Sequence, residues 1–271
     1  MVEGAEILGY IAMVGLGIVL GLLGAGGSIL TVPVLVYLLA VPASQATGYS
    51  LIVVGTSALV ASIAYLRRKQ SNPRMGLIFG APAILGVYIM RRYIFPAIPE
   101  TVLQIEGFVL SKDVLVMVVF AIFMLLASIA MIRGKKEASG DGTLKEAKIN
   151  YPVMLSAGFM VGMFTGFVGA GGGFMILPFL VIMGGLPIKV AIGTDLLIIA
   201  AKSLVGFIGE MQVSNSIDFG FIGLVILLPL AGIILGAYLN KHAPANKLKA
   251  GFGWFVLVMG IYIIAREFVL V

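Results

Sequence analysis

The chain has 271 residues, 61% of them hydrophobic and 11% charged, with a formal net charge of +6 at pH 7. A soluble domain carries roughly 25% charged residues and has no means of hiding so much apolar surface, so the composition excludes a soluble globular protein. The absence of cysteine excludes disulfides and thiolate metal sites, and the basic residues lie in short loops between apolar runs, where they orient a chain in a membrane rather than bind nucleic acid.

The N-terminal MVEGAEILGY holds Glu3 and Glu6 but no Lys or Arg. It lacks the basic region of a signal peptide, so the first apolar run is expected to remain in the mature protein. Apolar runs follow at 8–23, 28–41, 46–66, 75–95 and 113–132. After the polar stretch GKKEASGDGTLKEAK, read as a solvated linker, they resume at 151–168, 174–186, 190–209, 219–239 and 250–265. A spanning helix needs about 20 residues; the runs 28–41 and 174–186 fall short, and each follows a glycine cluster. The reading is an all-α integral membrane protein. Residues 1–133 and 151–271 form two repeats of five hydrophobic segments, and 134–150 join them within one membrane domain.

The repeats are related in sequence. GLLGAGGSILTVPVLVYLLAVP (21–42) aligns without gaps on GFVGAGGGFMILPFLVIMGGLP (166–187), an offset of 145. Pro33 and Pro42 match Pro178 and Pro187, and the register continues through Ala46, Gly48 and Leu51 onto Ala191, Gly193 and Leu196. One glycine cluster is unremarkable in a glycine-rich chain; two prolines and the next helix in the same register mark a duplication, a hallmark of transporter folds.

Cytoplasmic loops are enriched in Lys and Arg. Arg67, Arg68, Lys69 and Arg74 place 67–74 inside; Arg133, Lys135, Lys136, Lys145 and Lys148 do the same for the linker, and Lys241, Lys247 and Lys249 for 240–249. The segment 210–218, equivalent to the basic loop 67–74, has no Lys or Arg and is expected outside. The repeats therefore have inverted topology, with both termini outside the cell membrane. Charge counts only whether the crossings are odd, so each glycine-broken segment is either a full crossing or a re-entrant hairpin. Arg91 and Arg92 fall near an outside end against this scheme, lying in a cavity or snorkelling to the interface.

Gly24, Ala25, Gly26 and Gly27, and their counterparts Gly169, Ala170, Gly171, Gly172 and Gly173, are candidate binding elements. Consecutive glycines weaken a helix by about 1 kcal/mol each relative to Ala, so a break followed by a new helix is expected at each cluster. Such a helix N-terminus offers unpaired N–H groups to an anion. The structural alternative is that the glycines only permit close helix packing. Pro33 and Pro178 are expected to kink the short segments.

Asp195 and Lys202 sit inside the apolar run AIGTDLLIIAAKSLVGFIG, where a charge at the bilayer centre costs about 3 kcal/mol and is functional by default. Seven residues apart, they share a helix face. Their first-repeat equivalents are Ser50 and Ser57. Lys202 is expected to bind an anionic substrate with Ser28, Ser57 and Ser203, and Asp195, flanked by Thr194 and matched by Ser50, to carry a coupling proton. The alternative is a packing role for both charges. Glu210 is expected at a helix end at the interface, and His242 in a solvated loop.

The paired GAGG…P motifs in two five-segment halves, followed by ATGYSL and AIGTDL, resemble the TauE/SafE family of sulfite and organosulfonate exporters over nearly the whole chain. The resemblance implies a multi-pass plasma-membrane protein that exports sulfite, an organosulfonate or a related small anion. The first functional reading is a secondary transporter working by alternating access, without a cofactor or metal, and with possible proton or sodium coupling; lipid and the anion are its partners, and nucleic acid is not. A passive anion channel or uniporter is the alternative. An intramembrane enzyme is disfavoured by the lack of cysteine and of HExxH.

Overall fold

The computed structural model describes residues 2–105, 108–133, 150–214, 218–239 and 245–269. The linker residues Lys135, Lys136, Lys145 and Lys148, and the loop residues Lys241 and His242, lie outside these. The first repeat consists of α1 (Val2–Leu23), a 3-10 helix (Gly24–Leu30), α2 (Thr31–Tyr37), α3 (Ala43–Arg67), α4 (Pro73–Ala97) and α5 (Lys112–Arg133). The second consists of α6 (Tyr151–Val168), α7 (Gly173–Ile182), α8 (Ile188–Met211), α9 (Phe219–Leu239) and α10 (Ala245–Val269). Among the described residues, six helices have the length and apolarity to cross a membrane. One feature departs from the all-helical expectation: strands Thr101–Ile105 and Phe108–Ser111 pair antiparallel between α4 and α5.

Helix starts follow local chemistry. Pro73 opens α4 where its missing N–H is harmless, and the Asn72 side chain accepts a hydrogen bond from Met75 N at 3.1 Å. Asn150 and Pro152 do the same for α6. Pro33 falls in the first turn of α2, a position that tolerates proline, whereas Pro178 lies inside α7.

The duplication is visible bond for bond. Val41 N donates to Leu35 O at 3.0 Å, and its counterpart Leu186 N donates to Leu180 O at 3.1 Å. The bonds Leu39–Val34 and Ala46–Pro42 recur as Gly184–Phe179 and Ala191–Pro187. Both α3 and α8 begin after a proline at near-identical angles (φ −52, ψ 140 and φ −56, ψ 142).

The counterparts α3 and α8 pack against each other and run antiparallel. Gly48 lies against Glu210, Gly55 against Leu204 and Gly193 against Tyr65. The repeats are thus inverted, as the loop charges imply. Further contacts fix the direction of the short segments. Gly232 and Gly236 of α9 press on the carbonyls of Val14 and Ile18 of α1, so these two helices are parallel. The ring of Tyr49, near the start of α3, lies 5.7 Å from that of Phe221, near the start of α9, so α3 runs with them. Because α1 and α3 point the same way, the segment between them must return towards the level at which α1 starts. It does so alongside α1, with Gly27 against Leu20 and Leu38 and Leu39 against Gly9. The same holds for α7, since α6, α4 and α8 are mutually parallel.

The two tightest crossings are one contact made twice. Gly17 of α1 meets the Pro229 carbonyl of α9, and its counterpart Gly162 of α6 meets the Ala83 carbonyl of α4. Small residues at such positions let membrane helices approach closely. Here the offset is 146 on α4 and α9, a one-residue slip after α3 and α8. Two apolar cores flank the α3–α8 pair. One is built from Met13, Leu35, Leu51, Phe120 and Val256; the other from Phe79, Met154, Ile176, Leu180 and Ile199.

Candidate functional site

Each glycine segment breaks the helix before it and leads into a new one, as expected, but the two do so differently. In the second repeat, Gly169 (φ 74) and Gly172 (φ 73) adopt left-handed angles that favour glycine. They end α6 and open α7, whose first turn is anchored on the Gly172 carbonyl by Met175 and Ile176. In the first repeat the chain tightens into the 3-10 helix Gly24–Leu30 and passes into α2 through Leu30 in a right-handed conformation, with no second left-handed turn. A distinct helix N-terminus is therefore presented by α7 alone of the two. Packing also explains much of the glycine content. Gly27 lies against Leu20, and Gly169 against the Thr47 carbonyl.

The segments meet. Gly171 packs on Ser28 and on Val54 of α3. A methyl on Gly172 would sit 3.6 Å from Nζ of Lys202. Lys202 is fully buried (0% exposed) and donates a hydrogen bond to Thr165 Oγ1 at 2.8 Å. The start of α7 and the Lys202 ammonium thus converge on one spot, which suits an anion on two counts.

The antiparallel register of α3 and α8 fixes the level of the remaining residues. Ser57 stands level with its own counterpart Lys202, so the pseudo-two-fold axis passes between them. Ser203 is one residue further along α8. Ser28, Ser57 and Ser203 are all buried. Ser57 Oγ, Ser203 Oγ and Thr31 Oγ1 have no hydrogen-bond partner among the described residues. A buried hydroxyl left unpaired costs roughly 1–3 kcal/mol, so each of these calls for an explanation beyond packing.

Asp195 and Ser50 are also buried and unpaired among the described residues, but they lie off this level. Asp195 is displaced about 10 Å along α8 from Lys202, towards the basic loop 67–74. Ser50 is displaced by the same amount towards the other end. Lys202 gives its hydrogen bond to Thr165, and neither Asp195 oxygen has a partner, so the two charges make no direct pair. Thr194 is committed elsewhere. Its hydroxyl donates to Val190 O at 2.7 Å and accepts from Asn72 N at 2.8 Å, joining α8 to the basic loop.

Two residues escape a reading of sequence alone. Thr165 replaces Leu20 of the first repeat, one position before the aligned block, and its signal is that substitution. Glu210 is not a free interfacial group. It accepts from Arg91 Nη1 at 3.2 Å, and Arg91 is itself fully buried.

Inverted five-helix repeats around a buried, charged centre define a membrane transporter. The chain belongs to the family described as "Sulfite exporter TauE/SafE", whose match spans residues 9–263. It is 28% identical over 255 residues to a "Probable membrane transporter protein" of Xylella fastidiosa (strain 9a5c), covering 93% of this chain and 92% of that one. It is 26% identical over 288 residues to the "Probable membrane transporter protein YunE" of Bacillus subtilis (strain 168), covering 95% of each. No solved structure matches.

Proposed function

We propose that the protein is a secondary transporter that exports a small anion, of the sulfite or organosulfonate kind, by alternating access around the Lys202 level. The observation that carries this reading is the convergence of the buried Lys202 ammonium with the start of α7 on the pseudo-two-fold axis. Lys202, Ser57, Ser203, Ser28 and the backbone at Gly171 to Gly173 hold the anion. An oxyanion accepts from hydroxyls, N–H groups and an ammonium alike. Asp195 carries the coupling proton, or shares a sodium ion with neighbouring oxygens. Residues 1–133 and 151–271 form one membrane domain joined by 134–150. The protein lies in the cell membrane with the basic loop 67–74 in the cytoplasm and both termini outside.

Reconstitution in liposomes tests this. Radiolabelled sulfite should accumulate against its gradient when a proton or sodium gradient is imposed, and Lys202→Ala should abolish accumulation in a folded protein. Equilibration that no imposed gradient can drive further would establish a uniporter or channel instead.

A further inference from the structure

The inverted repeats make several interhelical contacts twice, and one of these pairs differs in extent. The α4–α8 contact is the counterpart of α9–α3. Both begin alike: Asn72 N donates to Thr194 Oγ1 at 2.8 Å, and Asp218 N donates to Tyr49 Oη at 3.4 Å. From there they diverge. Helix α4 stays on α8 through Gly80 and Ile198, then Val87 and Gly206, to Arg91 and Gly209. The α9–α3 contact is less extensive. Gly209 is buried, whereas its counterpart Ala64 on α3 is exposed, as are Leu59, Val60, Ile63 and Leu66 around it. Among the described residues, one end of the molecule is sealed between these helices, and the equivalent seam at the basic end is less covered.

The sealed end carries an ion pair that has no equivalent among the described residues of the other. Arg91 occupies a π-helical turn of α4 (Met90–Ile94), a local irregularity frequent at functional sites. Its Nη1 reaches Glu210 Oε2 at 3.2 Å, its Nη2 reaches the Phe167 carbonyl at 3.5 Å, and its guanidinium lies 4.5 Å from the Phe95 ring centroid. Glu210 in turn lies against Gly48 of α3. The pair thus ties α4, α6, α8 and α3 together, two residues before the Gly169 turn and about 12 Å along α8 from Lys202. The counterparts of Arg91 and Glu210 are Ala237 and Tyr65, which cannot form an ion pair.

We infer that the Arg91–Glu210 pair is the gate that closes the central site to the face opposite the basic loop, and that it must part for the site to open there. This rests on the transporter reading, in which the site is reached from each face in turn. A charge pair confined to one face biases the resting population towards closure on that face, because it stabilises one state and has no equivalent in the other.

The test is accessibility, which needs no substrate. Because the chain has no cysteine, a Ser203→Cys reporter gives a single thiol for a membrane-impermeant methanethiosulfonate reagent applied at the face opposite the basic loop. Adding Glu210→Gln should speed labelling by about tenfold or more, through loss of a charge-assisted bond made only in the closed state. Exchanging the charges (Arg91→Glu with Glu210→Arg) should restore the slow rate. As an independent measure, Tyr88→Cys and Gly209→Cys, whose positions adjoin at 3.4 Å, should cross-link on oxidation. With Ser203 intact, the cross-link should block liposome flux until reduced. Unchanged labelling in Glu210→Gln, or full flux through the cross-linked protein, would overturn the gate. Changed labelling in a protein that moves no anion would overturn the transporter reading and leave the gate standing.

Discussion

Removing the hydroxyl of Thr165 while keeping its shape tests whether Lys202 is held ready for cargo. Thr165→Val deletes the 2.8 Å bond that Lys202 Nζ donates. It also deletes the weaker 3.3 Å bond that the hydroxyl donates to the Gly162 carbonyl. A hydrogen bond to a charged group contributes about 1.5–3 kcal/mol, and here the remaining ammonium is fully buried, so the loss belongs at the upper end of that range. Lys202→Met removes the charge and keeps most of the volume. Once the ammonium is gone the Thr165 hydroxyl has little left to lose, so the two changes should not add. The double variant should be more stable than the sum of the single losses implies, by about 1.5–3 kcal/mol. Thermal unfolding in detergent, followed by circular dichroism across the four proteins, measures this coupling. Thr165→Ser, which retains the hydroxyl, should stay near the parent. Strictly additive losses would refute the claim that Thr165 is what holds Lys202 in place.

Other outcomes follow from single positions. Asp195→Asn should abolish gradient-driven accumulation in liposomes while leaving passive exchange of the anion measurable. Ala40 adopts φ 53 where its counterpart Gly185 adopts φ 63; Ala40→Gly should therefore raise stability by about 1 kcal/mol, read as a higher thermal midpoint, and Gly185→Ala should lower it by a similar amount. Single cysteines at Lys69 and Val213, equivalent loops of inverted repeats, should be labelled by an impermeant reagent from opposite faces of the membrane.

Some of this architecture is legible in the residues because its causes are local. The runs 151–168 and 219–239 coincide with α6 and α9, since a loss of apolarity and a capping Asn or Asp set their ends. The inversion is legible because a basic loop is matched by a counterpart that has no Lys or Arg. The course of the short segments is not, because loop charge records only odd or even; it lies in contacts such as Gly27 with Leu20 and Gly9 with Leu39. The strands 101–105 and 108–111 are too short to raise a clear alternating pattern beside the apolar helices. The role of Arg91 is illegible for a different reason. Its partner is 119 residues away, and only folding shows that a charge counted against the topology is buried, paired and tied to α8.

The placement of charge about the pseudo-two-fold axis bears on direction. Ser57 and Lys202 flank the axis at one level, so an anion held there as proposed would lie midway along α3 and α8, although the ammonium and the helix start beside it both come from the second repeat. Asp195 lies off that level. It lies two turns towards the basic loop, and its counterpart Ser50 lies two turns towards the gate. If Asp195 carries the coupling proton, as proposed, its path to the face bearing the basic loop is the shorter one, and this adds to the asymmetry set by the Arg91–Glu210 pair and by the start of α7. Moving the carboxylate across the axis, by Asp195→Ser with Ser50→Asp, should shift the face whose pH governs flux from the basic side to the opposite one, while Lys202 still binds the anion. Liposomes with the inner and outer pH varied separately would show it. If flux in the exchanged protein still followed pH at the basic face, the proton path would not run through Asp195, and its burial would have to be ascribed to packing.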